Sequence, residues 1–183
     1  TKADNYAITA TPGTLTVTGS EEALVIGSSS KSWAYDGESH TDEVYTVTYG
    51  GAEVAADESG KVFTLPTGDT VTITATAAGV KDYSADYSEN NTYTYVLTNA
   101  DSYADVSANV GTLSIDKRAV TLTSATDSKA YDGTALTNDE VTVGGEGFAE
   151  GEGASYSVTG TQTLVGSSEN AFTYTLNEGT KAD

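Results

Sequence analysis

The stretch Thr70-Val71-Thr72-Ile73-Thr74-Ala75-Thr76 alternates strictly between apolar and hydroxyl side chains. Because successive side chains of a β-strand point to opposite faces, this pattern predicts a strand with one buried and one solvated face. Clusters of Gly, Asp, Asn and Ser, which favour turns, separate it from similar stretches, and no helical period of useful length occurs. The sequence therefore predicts an all-β protein. The other alternating stretches are 14–18, 93–97, 120–123 and 172–176.

Composition excludes several kinds of chemistry. The chain has 183 residues, with 27 Asp or Glu against 8 Lys or Arg, a formal net charge of −19, no Cys and one His. Without Cys there are no disulfides, thiolate metal sites or cysteine nucleophiles. The negative charge argues against a nucleic-acid partner, because phosphate binding requires clustered Lys and Arg. No apolar run approaches the roughly 18 residues of a membrane helix, so we expect no membrane insertion in this segment.

An internal repeat dominates the organisation of the sequence. Ala34-Tyr35-Asp36-Gly37 recurs as Ala130-Tyr131-Asp132-Gly133, a shift of 96 residues. The segment 98–115 matches the segment 1–17 with a one-residue gap, and Thr180-Lys181-Ala182-Asp183 repeats the first four residues of the chain. Self-similarity of this kind is typical of repeat architectures, so we interpret the chain as a window on a tandem array.

In phase with this repeat, the chain divides into three parts. Residues 19–116 form one complete module, residues 117–183 form a module that lacks its last two strands, and residues 1–18 match those two closing strands. A module of about 83–96 residues with about seven short strands fits a two-sheet sandwich. We therefore predict tandem immunoglobulin-like antiparallel β-sandwich modules.

The strand pattern also predicts which side chains are buried. Nine apolar or aromatic side chains on the predicted strands should be buried, with the Thr between them facing water. The nine are Val71, Ile73, Tyr95, Leu97, Leu113, Leu122, Phe172, Tyr174 and Leu176.

Residues 1–18 should complete the 117–183 module of a preceding copy, either along a continuous chain or by strand exchange between separate chains. The side chains that would fill that module are Tyr6, Ile8, Leu15 and Val17.

Several of these motifs, in this order, resemble a known family. They are Ser-Lys-Ala-Tyr-Asp-Gly-Thr at 128–134, Phe-Thr-Tyr-Thr-Leu at 172–176, Ala-Asp-Asn-Tyr at 3–6 and Gly-Thr-Leu-Thr-Val at 13–17. The chain resembles the Tyr-Asp-Gly class of immunoglobulin-like tandem repeats found in large surface adhesins of Gram-positive bacteria. The resemblance implies a non-catalytic, extracellular stalk or filament module at the cell surface. Its partners would be adjacent copies of the same repeat.

The Tyr-Asp-Gly motifs themselves are expected to be structural. Asp36-Gly37 and Asp132-Gly133 favour tight turns, with Gly supplying a positive φ and Asp capping the backbone. Tyr35 and Tyr131 are then core aromatics. We expect no cofactor; calcium is the alternative, because carboxylates at module junctions suit a hard cation, but no Asp-x-Asp-x-Asp-Gly loop occurs.

Two further groups of tyrosines are candidates for a role. The Ala-Asp-x-Tyr segments ending at Tyr6 and Tyr103 are typical of a tyrosine corner, in which the phenol hydrogen-bonds the backbone. Tyr83, Tyr87 and Tyr93 lie in or beside a longer middle segment of the first module, where exposed aromatic rings would stack on sugar rings. These three define the alternative function, an adhesin module that binds a host glycan or protein. If they are core or strand-edge residues, that function loses its candidates.

Overall fold

The computed structural model describes residues 5–181, and within this range the protein is all-β, as the alternating stretches predict. It contains no α-helix and only short 3₁₀ turns, among them Ala100–Ser102. No helix among these residues has the length and apolar character that a membrane span requires. The strands are β1 (Leu24–Ser28), β2 (Lys31–Ala34), β3 (Tyr45–Tyr49), β4 (Ala52–Val54), β5 (Val62–Thr64), β6 (Thr70–Ala75), β7 (Tyr93–Leu97), β8 (Val106–Asn109), β9 (Leu113–Asp116), β10 (Val120–Ser124), β11 (Val141–Gly145), β12 (Ala154–Val158) and β13 (Phe172–Leu176).

The strands fall into two compact units. Unit 1 comprises residues 5–28 together with Val44–Ala75 and Tyr93–Asn109. Unit 2 comprises Ser29–Glu43, Thr76–Thr92 and residues 110–181. Both units draw on residues 19–116, and the module boundaries at 18 and 116 remain predictions from the repeat.

Unit 1 is a β-sandwich-like pair of sheets around one apolar core. One sheet has the strand order β4-β3-β1-β8 and the other the order β5-β6-β7. All neighbours are antiparallel except β1 and β8, which are parallel. The alternation in β6 has the expected effect, since Val71 and Ile73 are buried and Thr72 and Thr74 exposed. The core combines side chains from both sheets: Leu24, Ile26, Tyr45, Val47, Phe63, Leu65, Val71, Ile73 and Tyr103.

Tyr103 anchors one end of this core. Its side chain is 7 % exposed, and its ring meets that of Tyr49 edge-on at 6.1 Å. The hydroxyl donates to the Asp69 carboxylate at 2.6 Å and lies 2.5 Å from the Thr67 hydroxyl. The acceptor is thus a side chain and not the backbone carbonyl of a tyrosine corner. Hydrogen bonds from Tyr103 and then Asn99 hold the pKa of Asp69 below its usual value.

Unit 2 has smaller sheets and little buried apolar surface. β2 and β9 pair in parallel, while β10 pairs with β11 and β12 with β13, both antiparallel. Leu113 and Ile115 of β9 are 0 % and 1 % exposed. In the described part of the second module, 117–181, only Ala149 and Gly153 are buried. This module therefore has almost no apolar core of its own.

The burial prediction is correct for some strands and wrong for others. Val71, Ile73 and Leu113 are buried, but Tyr95 and Tyr174 are 38 % and 56 % exposed. Tyr95 lies opposite the buried Ile73, but β7 is the edge strand of its sheet, which leaves the outer side of the ring in water. Tyr174 lies in a two-stranded sheet with no further strand beside it. The remaining four, Leu97, Leu122, Phe172 and Leu176, are half-buried.

The predicted strand at 14–18 does not form. Residues 6–19 contain no strand, and Tyr6 and Ile8 are 70 % and 85 % exposed. Leu15 and Val17 are 99 % and 97 % exposed. An extended segment becomes a strand only when its backbone groups pair with a neighbour. These residues therefore have strand patterning without a strand partner.

We expect Tyr103→Phe to lower the free energy of unfolding by about 1 kcal/mol at neutral pH, because the ring stays and a hydrogen bond is lost. The folded contacts lower the pKa of Asp69, so their stabilisation is present above about pH 4 and is lost as the pH falls further. The difference between wild type and variant in urea unfolding should therefore shrink in acid.

Tyr49→Phe is the matched control for this prediction. Its hydroxyl lies 2.6 Å from the Ser20 hydroxyl, a contact without a carboxylate. The cost of this variant should not depend on pH between about 3 and 7, because no carboxylate takes part in the contact. A Tyr103→Phe cost that stays equally constant over that range would contradict the role given to Asp69.

Candidate functional site: the open module and its matching segment

In the predicted complete module, residues 19–116, the two closing strands pair with the first two strands. β8 pairs in parallel with β1, placing Val106 opposite Leu24, and β9 pairs in parallel with β2. In the second pair, Leu113 lies opposite Lys31 and Ile115 opposite Trp33. β8 and β9 thus hydrogen-bond β1 and β2, and the side chains of Leu113 and Ile115 in β9 are buried.

The second module repeats the first two strands without these partners. The shift of 96 residues places β1 on β10 and β2 on residues 127–130. β10 forms because it pairs with β11, but residues 127–130 are in no strand. β2 has β9 as its one strand neighbour, whereas among the described residues no strand pairs with residues 127–130.

An open groove of about 490 Å³ lies beside residues 127–129. Residues 125–129 and residues 160–170 contribute to its lining. In the complete module the corresponding positions flank β9. There Asn90 accepts from the Leu113 N–H at 2.6 Å and donates to the Leu113 carbonyl at 2.9 Å. Residues 127–129 and 169–170, which line the groove, thus correspond in the repeat to residues that contact β9 in the first module.

An asparagine contact recurs at corresponding positions of the two predicted modules. Asn91 is 1 % exposed and donates through Nδ2 to the Ser29 carbonyl at 2.9 Å. Asn170 donates through Nδ2 to the Ala125 carbonyl at 3.0 Å, and Ala125 lies 96 residues after Ser29. Sequence reasoning missed this pair. The recurrence of Asn two residues before Tyr93 and Phe172, in otherwise similar strands, is the pattern that would have revealed it.

Residues 8–18 carry the side-chain types that close the complete module. An ungapped shift of 98 residues places Ile8 on Val106, Leu15 on Leu113 and Val17 on Ile115. Leu113 and Ile115 are fully buried, whereas Leu15 and Val17 are almost completely in water. The same apolar pattern thus occurs twice in the chain, once packed and once exposed.

The Tyr-Asp-Gly motifs form turns in both modules. Gly37 and Gly133 have φ values of +84° and +79°. The Asp36 carboxylate accepts from the Glu38 N–H at 2.9 Å, and the Asp132 carboxylate accepts from the Thr134 N–H at 2.9 Å. This backbone hydrogen bond and the Lys129 ammonium lower the pKa of Asp132. Over residues 5–181, no group of three or more His, Cys, Asp or Glu is arranged to hold a metal ion.

Tyr35 and Tyr131 differ in their surroundings. The Tyr35 hydroxyl donates to the Glu152 carboxylate, and this bond, with burial, raises the pKa of Tyr35 to about 12. Arg118 Nη1 donates to the Tyr35 carbonyl at 3.3 Å. Tyr131 is 64 % exposed, so its assignment to the core is wrong. The residues that contact Tyr35, Glu152 and Arg118, lie beyond residue 116 in the sequence.

The three candidate ligand-binding tyrosines do not form one described surface. Tyr83 is 40 % exposed, and the Lys117 ammonium lies 4.7 Å from its ring centroid. Tyr87 is half-buried and donates its hydroxyl to the Asp82 carbonyl. Tyr93 belongs to unit 1, where its hydroxyl donates to the Ile26 carbonyl at 2.8 Å. Of the three, Tyr83 presents the most ring surface to solvent.

The paired leucines provide a direct test of this geometry. Leu113→Ala should cost about 2–5 kcal/mol of unfolding free energy, because a fully buried side chain leaves a cavity. Leu15→Ala should change it by less than about 0.5 kcal/mol in dilute solution, where the side chain is in water. Chemical unfolding of both variants at micromolar concentration is the measurement. Equal costs would show that residues 8–18 are packed in the isolated molecule.

The groove, the repeated asparagine and the exposed segment are thus related through the internal repeat. In the first module, β2 and Asn90 hydrogen-bond β9. The corresponding residues of the second module are 127–130 and 169–170, and residues 8–18 match β8 and β9 in sequence. Comparisons of the chain with protein-family models, curated proteins and solved structures found no match.

Proposed function

We propose that this chain is a non-catalytic structural repeat, a spacer in the stalk of a bacterial surface adhesin or an extracellular filament. The observation that carries the proposal is the repeated contact of Asn91 with Ser29 and of Asn170 with Ala125, because it supports two copies of one module in a single chain. Modules that contact only their neighbours give length by repetition. The partners proposed for it are adjacent copies of the same repeat.

The charge of the chain supports this role. A net charge of −19 keeps neighbouring molecules apart and soluble, which suits a crowded cell surface. The polar groups that stand out in the structure are used for folding: Asp36 and Asp132 cap turns, and Glu152 accepts from Tyr35. We propose an extracellular location and a function without a cofactor.

A second candidate function, binding of a host glycan or protein, is favoured by one observation. Tyr83 lines a cleft of about 330 Å³ whose other residues include Lys117, Arg118 and Glu152. This volume is at the lower end of the range for small-ligand pockets. An exposed aromatic ring can stack on a sugar ring, while neighbouring charged groups hydrogen-bond the sugar hydroxyls.

The spacer function predicts a regular increase in length with copy number. Genes encoding one, two and three copies of residues 5–183 in tandem should give proteins whose maximum dimension grows by roughly 80 Å per copy, at about 40 Å per sandwich. Small-angle X-ray scattering at low concentration measures this dimension. A maximum dimension that grows only as the cube root of mass would indicate compact clustering and contradict a stalk.

The binding function predicts a specific effect of one ring. On a glycan array, Tyr83→Ala should abolish any binding by the wild-type chain. Tyr87→Phe serves as the matched control, because it removes a hydroxyl bound to the backbone but keeps the ring. Binding that survives Tyr83→Ala would contradict the cleft as the ligand site. Absence of wild-type binding to the glycans and host-matrix proteins tested would favour the spacer.

A further inference from the structure

We propose that residues 8–18 of one copy of this chain bind to the 117–181 module of a second copy as two parallel strands, the first beside β10 and the second beside residues 127–130 in the open groove. The inference deepens the proposed function and rests on it for the serial order of the copies. The segment that binds belongs to a second copy, and its two strands should take the positions that β8 and β9 occupy in the complete module.

The register follows from the complete module. Val106 lies opposite Leu24, so its counterpart Ile8 should lie opposite Val120 of the second copy. Leu113 lies opposite Lys31, so its counterpart Leu15 should lie opposite Asp127 of the second copy.

The remaining positions of the second strand follow in the same way. Ser114 lies opposite Ser32, so Thr16 should lie opposite Ser128 of the second copy. Ile115 lies opposite Trp33, so Val17 should lie opposite Lys129 of the second copy. Residues 127–130 would then acquire the hydrogen-bonded neighbour that makes β2 a strand.

Burial provides the driving force. Leu15 and Val17 are almost completely exposed, and their counterparts Leu113 and Ile115 are fully buried. Burial of one such side chain corresponds to roughly tenfold or more in a binding constant. Val120 and Leu122 of the acceptor strand are only half-buried and would be covered at the same time.

Charge does not oppose this contact. Residues 5–18 contain no Asp, Glu, Lys or Arg, although the whole chain carries a net charge of −19. A neutral segment therefore approaches the acceptor module without the repulsion that acts between the acidic surfaces. The groove also includes Lys129, which offsets part of the local negative charge.

One hydrogen bond of the template should be missing. Asn90 both donates to and accepts from Leu113, and the corresponding position in the second module is Glu169. A carboxylate accepts from the Leu15 N–H but cannot donate to its carbonyl. Glu169→Asn should therefore strengthen the association, because it restores the second bond.

Engineered thiols can test the register, because the natural chain has no Cys. Ser128→Cys is placed in one chain and Thr16→Cys in another, and the two are mixed under mild oxidation. Neighbouring strands are about 4.8 Å apart, within the Cα separation that a disulfide accepts. We expect a crosslinked heterodimer, detected by mass, whose yield rises with protein concentration.

Two matched controls define the background. Ser32→Cys with Ser114→Cys in one chain should form an internal disulfide at any dilution, since these residues are opposite in β2 and β9. Thr16→Cys mixed with Ser32→Cys should give little crosslink, because β9 already occupies that position. A Thr16–Ser128 yield no higher than this background, with the internal control formed, overturns the proposal.

A third variant tests the apolar contact. Adding Leu15→Glu to the Thr16→Cys chain should lower the crosslinking yield at a given concentration by roughly tenfold or more. The exposed position of Leu15 means that the isolated chain should keep its unfolding midpoint. An unchanged yield would contradict insertion of this side chain.

The same experiment separates this inference from the spacer function. A Thr16–Ser128 crosslink in a chain whose tandem copies do not lengthen would support strand binding and contradict the spacer. Regular lengthening without the crosslink would do the reverse. A disulfide that forms within one chain carrying both cysteines, independently of dilution, would also contradict binding to a second copy.

Discussion

Two parallel pairings join the first two strands of residues 19–116 to the last two strands of that segment. β1 pairs with β8 and β2 with β9 through backbone hydrogen bonds, and Leu113 and Ile115 of β9 are buried. A backbone segment cannot keep a strand conformation without a partner for its N–H and C=O groups. This constraint explains why residues 31–34 form a strand and the corresponding residues 127–130 do not.

The sequence predicts the fold best where patterning and pairing coincide. The alternation at 70–76 produces β6, with Val71 and Ile73 inside, because β5 and β7 lie on either side. The alternation at 14–18 is equally regular and produces no strand. Alternation specifies the face that a strand would bury, but it carries no information on whether a partner is present. Tyr174 has the same alternating pattern, but its two-stranded sheet leaves it 56 % exposed.

The structural site was predictable only in part. The Tyr-Asp-Gly turns have local causes, a positive φ at Gly and a short Asp cap, which sequence reasoning recognises. Asn91 and Asn170 hold carbonyls 62 and 45 residues away, and such distant contacts cannot be inferred from the local sequence. The hydrogen bond from Tyr103 to Asp69 and the contact of its hydroxyl with Thr67 were likewise unforeseen, because these residues are 34 and 36 positions away in the sequence.

The central claim is that β8 and β9 close the first module and that residues 8–18 of another copy close the second module in the same way. Amide hydrogen exchange, measured as a function of protein concentration, tests this claim most directly. The account predicts that residues 113–116 are protected at every concentration, since β9 is paired within its own module. Residues 15–18 and 127–130 should be unprotected at high dilution and gain protection together as the concentration rises. Protection of both segments at high dilution, or of one without the other, would contradict the account.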